Sequence, residues 1–179
     1  MRDIISYDSI FEAKPESRKD LRALARDVRL LLLLGINHCQ LYIDITRVLE
    51  KISELDPNFS FEIVDNDELE CDVQAQTDIV KDKILIKESV YMGAIRNVGR
   101  DRMTIAHELL HLILHQPSSL TLYRRNGEIP IYKNPEWQAE CFAGELLMPY
   151  ERIKNMSESE IVDKCKVSQI AAHYQLTHI

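Results

Sequence analysis

The hydrophobic positions along this chain change their period twice. Over residues 17–34, Leu21, Leu24, Ala25, Val28, Leu31 and Leu32 recur at helical spacing with Arg and Asp between them. That pattern predicts an amphipathic helix lying on another element, capped by Ser17 and stopped by Gly35. A second helix is expected from Asp44, a good N-cap, to about Leu55, where Asp56-Pro57 ends it. Between residues 59 and 88 the period drops to two. Phe59, Phe61 and Ile63 alternate with polar residues, and Lys83-Ile84-Leu85-Ile86-Lys87 is a short apolar run bounded by charge. Asp78 to Lys83 reads as a hairpin turn, so the segment predicts a small, mostly antiparallel sheet of three to four strands. Helical spacing then returns. Residues 101–116 are apolar nearly all round, which predicts a buried helix ended by Pro117. Beyond a loop holding Gly127 and Pro130, another helix is expected from Asn134 to about Met148, then two short ones near 157–165 and 168–176. Helices, then strands, then helices make an α+β domain. No repeat or linker interrupts the pattern, so one domain over 1–179 is expected. It divides into an N-terminal helical segment (1–38), a core (40–149) and C-terminal helices (150–179).

Composition narrows the function classes. With 45% hydrophobic and 28% charged residues the chain is ordinary globular protein. Its net charge of −7 opposes a phosphate backbone, which argues against direct nucleic-acid binding. The first 35 residues are too rich in charge for a signal peptide, and the apolar run Leu30 to Leu34 is far short of the ~20 residues that span a bilayer. A cytoplasmic location without membrane contact follows as the expectation. Cys39, Cys71, Cys141 and Cys165 show no Cys-x-x-Cys pairing, so free, buried thiols are expected.

The chemistry is carried by His107-Glu108-Leu109-Leu110-His111. Two histidines four apart stack on one face of a helix, where two imidazoles can bind one zinc at about 2.0–2.1 Å. Glu108, next along the helix, can reach the metal's open position without binding the metal and take a proton from water there. From the His and Glu frequencies of this chain, the motif would arise by accident in roughly 2% of such chains. A chance copy would also bury two histidines and a glutamate in a greasy helix with nothing bound, which is costly.

Catalytic zinc usually takes three protein ligands. The extended arrangement with a further histidine would place it at position 117, where Pro117 stands. By spacing, Glu136 is the best candidate, because Asn134 suits an N-cap and Pro135 the first helical position. The helix dipole favours an ionised carboxylate in that first turn. Glu140 and Glu145 are its rivals, with Glu140 also placed to orient a ligating histidine.

Thr104-Ile105-Ala106-His107-Glu108-Leu109-Leu110-His111, followed by Glu136-Trp137-Gln138-Ala139-Glu140-Cys141-Phe142-Ala143-Gly144-Glu145-Leu146-Leu147-Met148-Pro149, resembles the ImmA/IrrE family of metallopeptidases. Its hallmark is an Ala-His-Glu-x-x-His helix followed by Glu-x-x-Ala-x-x-Phe-Ala-x-x-Leu-Leu-Met-Pro. The resemblance extends over roughly residues 40–176. It implies a minimal gluzincin-like domain similar in its active-site helices to thermolysin, with one Zn2+ per chain on His107, His111 and Glu136 and with Glu108 as base. It further implies an endopeptidase whose protein substrate is a regulatory protein: a helix-turn-helix repressor of a bacterium, phage or mobile element. The alternative is a zinc-containing binding module that inactivates a repressor without proteolysis. The sensor domain that follows the catalytic one in some relatives is not expected in a chain ending at Ile179. Two positions depart from the family's habit. Leu110 stands where Gly is common and is expected to narrow the cleft, and Glu140 stands where Asn is common, adding a carboxylate near the metal.

Other residues are weighed and set aside. His115 continues the histidine face, but eight residues of helix carry it about 12 Å from His107, too far for one metal, and favour a satisfied histidine at the helix end. Residues 161–172 have the rhythm of a helix-turn-helix, and Ser157 and Glu160 are spaced as a capping box for its first helix. Their acidic balance favours packing on the core over reading DNA. Arg102 reads equally as a partner for a carboxylate near the metal or as a surface charge. Tyr123, Tyr132 and His173 are unranked candidates for stabilising a tetrahedral intermediate.

Overall fold

The computed structural model describes residues 11–32, 40–122 and 129–178. Its elements run β1 (Phe11–Glu12), α1 (Arg18–Leu32), α2 (Ile45–Leu55), β2 (Ser60–Val64), β3 (Ala75–Asp78), β4 (Lys83–Lys87), α3 (Glu88–Ile95), α4 (Gly99–Leu114), β5 (Thr121–Leu122), α5 (Pro135–Leu147), α6 (Tyr150–Ile153), α7 (Glu158–Cys165) and α8 (Gln169–Thr177). This is the α+β architecture the hydrophobic pattern predicts. The expected stop at Gly35, Gly127, Cys39 and Tyr123 lie outside the described residues.

The three-stranded sheet has the order β2-β4-β3. The β3–β4 pair is the expected antiparallel hairpin, with Asp82 in its turn at φ 48. The β2–β4 pair is parallel, Phe61 lying opposite Ile84 and Ile63 opposite Ile86, so this sheet is mixed rather than mostly antiparallel. The cause is the connection 65–74, which passes the end of β4 and starts β3 on its far side, leaving β4 central. Centrality explains the apolar run of β4, whose Ile84 and Ile86 are fully buried. β2 is an edge strand, and its apolar rhythm fades outward: Phe59 is buried, Phe61 stacks on Tyr91, and Ile63 is exposed. A separate antiparallel ladder of two residues joins β1 to β5.

α4 and α5 pack together at the centre, with α1 on the far side of α5 and β3 against α4. The core they close includes Leu21, Leu49, Ile105, Leu109, Leu110, Phe142 and Leu146. Burying a residue such as Leu109 or Phe142 contributes about 1.5–3 kcal/mol each. Leu110 is fully buried within this core, so it does not narrow the cleft as its departure from the family habit suggested. The predicted caps form: Asp44 accepts the Thr46 N–H at 3.1 Å, and Ser157 and Glu160 make a reciprocal capping box. α7 and α8 pack on each other across Lys166, which takes a left-handed conformation (φ 55), and they bury Ile161, Cys165 and Ala172 in the core. Gly99 admits this arrangement, because a Cβ there would lie 2.5 Å from the backbone of Val167 and Ser168. Of the described cysteines, Cys141 and Cys165 are buried thiols as expected, while Cys71 is exposed. No helix among the described residues is long and apolar enough to cross a membrane.

Candidate metal centre

α4 and α5 bring three donors together. His107 and His111 are one turn apart on α4, with their Nε2 atoms 3.1 Å from each other. Glu136 enters from the first turn of α5, its Oε2 lying 3.1 Å from His107 Nε2 and 3.7 Å from His111 Nε2. Asn134 fixes that turn, its side chain accepting the N–H groups of Glu136 at 2.9 Å and Trp137 at 3.2 Å, and Pro135 occupies the first helical position. Ligand atoms of the three residues all lie within 4.8 Å of one another. Two imidazoles and one carboxylate suit a catalytic zinc with a position left open. The donor set fits a metal that no other described residue is needed to complete.

The rival carboxylates fall elsewhere. Glu140 Oε2 lies 3.7 Å from His107 Nδ1, behind the ring rather than at the ligand face. Glu145 is buried in a structural role, accepting from Arg22 Nε at 3.0 Å and from the Tyr150 N–H at 3.2 Å. Arg102 is neither a partner of the metal site nor a surface charge. It is wholly buried, it donates to the carbonyls of Ile43 at 2.8 Å and Cys165 at 3.2 Å, and it lies over the ring of Tyr42.

The electrostatics of these side chains follow from this crowding. Burial opposes an imidazolium at His107, but Glu136 and Glu140 outweigh it and raise the ring to about 10. Burial likewise works against a charged Glu136, yet His107 and His111 hold it well below the usual carboxylate range. His115 behaves oppositely: burial pushes it down to about 4, so the ring is neutral.

Glu108 lies beside the donors and is held by β3. The hydroxyl of Thr77 lies 2.7 Å from Glu108 Oε2 and 3.1 Å from the Glu108 carbonyl, anchoring both side chain and helix to the edge strand. Thr77 escaped the sequence reading, because nothing in the strand pattern distinguishes it from other polar positions. Glu108 also stands between two hollows. One, of about 550 Å³, is lined by Ala75, Met103, His107, Glu108, Met148 and Tyr174 among others. The other, of about 600 Å³, includes Thr77, Glu108, His111 and Glu136. Neither is lined by Tyr132 or His173, and His173 pairs with Glu158 at 2.7 Å. Tyr174 of α8, not singled out by sequence, does face the first hollow, its ring stacked on His178.

The sequence of the chain, compared with known families, matches the IrrE N-terminal-like domain, a peptidase family, over residues 75–178. The chain belongs to this family. The matched span begins at β3 and contains all three donors, Glu108 and Thr77, while α1 and α2 precede it. No curated protein matches the chain significantly. Within this IrrE-type metallopeptidase domain, α4 and α5 supply the His107, His111 and Glu136 group that could hold a metal.

Proposed function

We propose that the protein is a zinc-dependent endopeptidase that cuts a regulatory protein, with His107, His111 and Glu136 as metal ligands and Glu108 as catalytic base. The observation that carries this reading is the convergence of the His-His-Glu donors beside a glutamate held in place by Thr77. A site built only to hold a structural metal has no use for that glutamate.

When bound, zinc held by His107, His111 and Glu136 would supply a Lewis acid that polarises the scissile carbonyl and lowers the pKa of a water towards ~7. Glu108 accepts the proton as that water attacks and then delivers it to the departing amine. Thr77 keeps the carboxylate aimed while the proton moves, since its hydroxyl donates to Oε2. Glu140 faces the outer nitrogen of His107, where its carboxylate would help to orient the ring for the metal. The peptide lies across the two hollows that meet at Glu108.

The proposed substrate is a helix-turn-helix repressor of a bacterium, phage or mobile element, and the proposed compartment is the cytoplasm where such a repressor works. This part of the reading follows the family resemblance of the two motifs. Co-expression with the repressor encoded alongside tests it: the wild type yields a cleavage product and Glu108→Gln does not. Purified protein is expected to hold close to one zinc per chain, which His107→Ala and His111→Ala each nearly abolish and Glu108→Gln retains. Against a cleavable peptide, Glu108→Gln should lower the rate by about 10²–10⁴-fold. A repressor inactivated without cleavage by wild type and Glu108→Gln alike would instead establish a binding module.

A further inference from the structure

The histidine face of α4 continues past the ligands into the interior. His115 is 1% exposed, with Nδ1 lying 2.9 Å from His111 Nδ1 and Nε2 lying 2.7 Å from Gln138 Oε1. Gln138, on α5, is fully buried and donates from Nε2 to two backbone carbonyls, those of Lys14 and Tyr132, each at 2.8 Å. The segment that supplies the Lys14 carbonyl is itself fastened to the residues before α5. The Ala13 N–H donates to the Lys133 carbonyl at 2.8 Å, and the Glu16 N–H to the Tyr132 carbonyl at 2.9 Å.

With His111 as a metal ligand through Nε2 and one hydrogen on each of the His111 and His115 rings, the donor and acceptor roles in this chain have one consistent solution. Carbonyls only accept, so the Gln138 amide must turn Nε2 towards Lys14 and Tyr132 and Oε1 towards His115. An amide oxygen also only accepts, so His115 donates to it from Nε2, and the single hydrogen of that ring leaves a lone pair on Nδ1. That lone pair faces His111 Nδ1, which must then carry the hydrogen of its own ring. The lone pair of His111 is thereby placed on Nε2, the nitrogen that faces His107 and Glu136.

We propose that His115 and Gln138 are positioning residues that fix the tautomer and ring orientation of His111 for the metal. They are anchored by the carbonyls of Lys14 and Tyr132. The inference rests on the reading of His107, His111 and Glu136 as metal ligands. It adds two residues that touch neither metal nor substrate, one of them tied to a segment that precedes the family's matched span.

The test is zinc affinity of the full-length protein, measured by competition with a chelator, with wild type and His107→Ala as reference points. His115→Leu removes the acceptor facing His111 and should weaken zinc by about 10–100-fold, as losses behind a ligand typically do. His115→Asn places Oδ1 near the position of Nδ1 and should retain most of the affinity. A role confined to packing predicts the reverse order, because Leu fills an apolar interior better than Asn. Gln138→Leu should weaken zinc about as much as His115→Leu. The double variant should lose no more than the weaker-binding single variant, since both break one chain of bonds. Tight zinc binding by His115→Leu, equal losses in the Leu and Asn variants, or full additivity in the double variant would each overturn the proposal while leaving the ligand assignment standing. A wild type that binds zinc no better than His107→Ala would bring down the ligand assignment itself.

Discussion

Glu136 and Glu140 sit one turn apart on α5, yet they face opposite sides of the His107 ring. Glu136 reaches Nε2 at 3.1 Å and Glu140 approaches Nδ1 at 3.7 Å. The two carboxylates therefore have separable consequences. Glu136→Gln should release zinc under mild chelation and be inactive, because it removes a charged ligand. Glu140→Gln should keep most of its metal, losing about 10–100-fold in affinity or activity, since an amide oxygen can still accept from the ring. Chelator titration of both variants decides it; a Glu140→Gln protein that loses zinc while Glu136→Gln retains it would reverse the assignment. The same pair shows what residue types alone reveal. Two histidines and a glutamate at helical offsets name their own chemistry, whereas the choice between two equivalent glutamates depends on which side of a ring each meets.

Elements were legible in the sequence wherever one face is buried and the other wet. α2, α5, α7 and α8 start and stop close to where their caps and apolar stripes place them, α1 starts as read from Ser17, and Asn134 and Ser157 cap as read. α3 and α6 were not foreseen. α3 opens on Lys87, which makes no side-chain cap, and α6 is a single turn after Pro149. The parallel pairing of β2 was hidden for another reason: period-two patterning tells which face of a strand is buried, not which way its neighbour runs. Arg102 was misread because a charged residue in sequence signals surface, and only the meeting of α2, α4 and α7 supplies acceptors to bury it. Its guanidinium satisfies the Ile43 carbonyl ahead of α2 and the Cys165 carbonyl at the end of α7. Arg102→Leu leaves both unpaired, and a destabilisation of about 2–4 kcal/mol is expected. Urea unfolding checks this through a lowered midpoint at unchanged slope. An unchanged midpoint would show that the guanidinium does not hold these elements together.

At the scale of the whole molecule, the metal centre draws on parts of the chain very far apart in sequence. His107 and Glu136 are separated by 29 residues, but Gln138 meets the Lys14 carbonyl across 124. Closing a loop of that length carries a larger entropic cost than forming the α4–α5 pair, and contacts of long sequence separation tend to arise late in folding. On the proposed role of His115 and Gln138, the bond from Gln138 to Lys14 makes tight metal capture depend on that late contact. A nascent or refolding chain can possess both helices, and even the three donors in proximity, before His111 is locked for tight metal capture. Refolding from denaturant with a zinc indicator present should accordingly show high-affinity uptake in the slowest phase, after helical signal has recovered. Uptake complete in the fast phase would show that the ligands are oriented without the segment around Lys14. If the slow phase does govern, the order of folding sets the order of loading: tight metal capture comes only after the segment around Lys14 has docked beside α5.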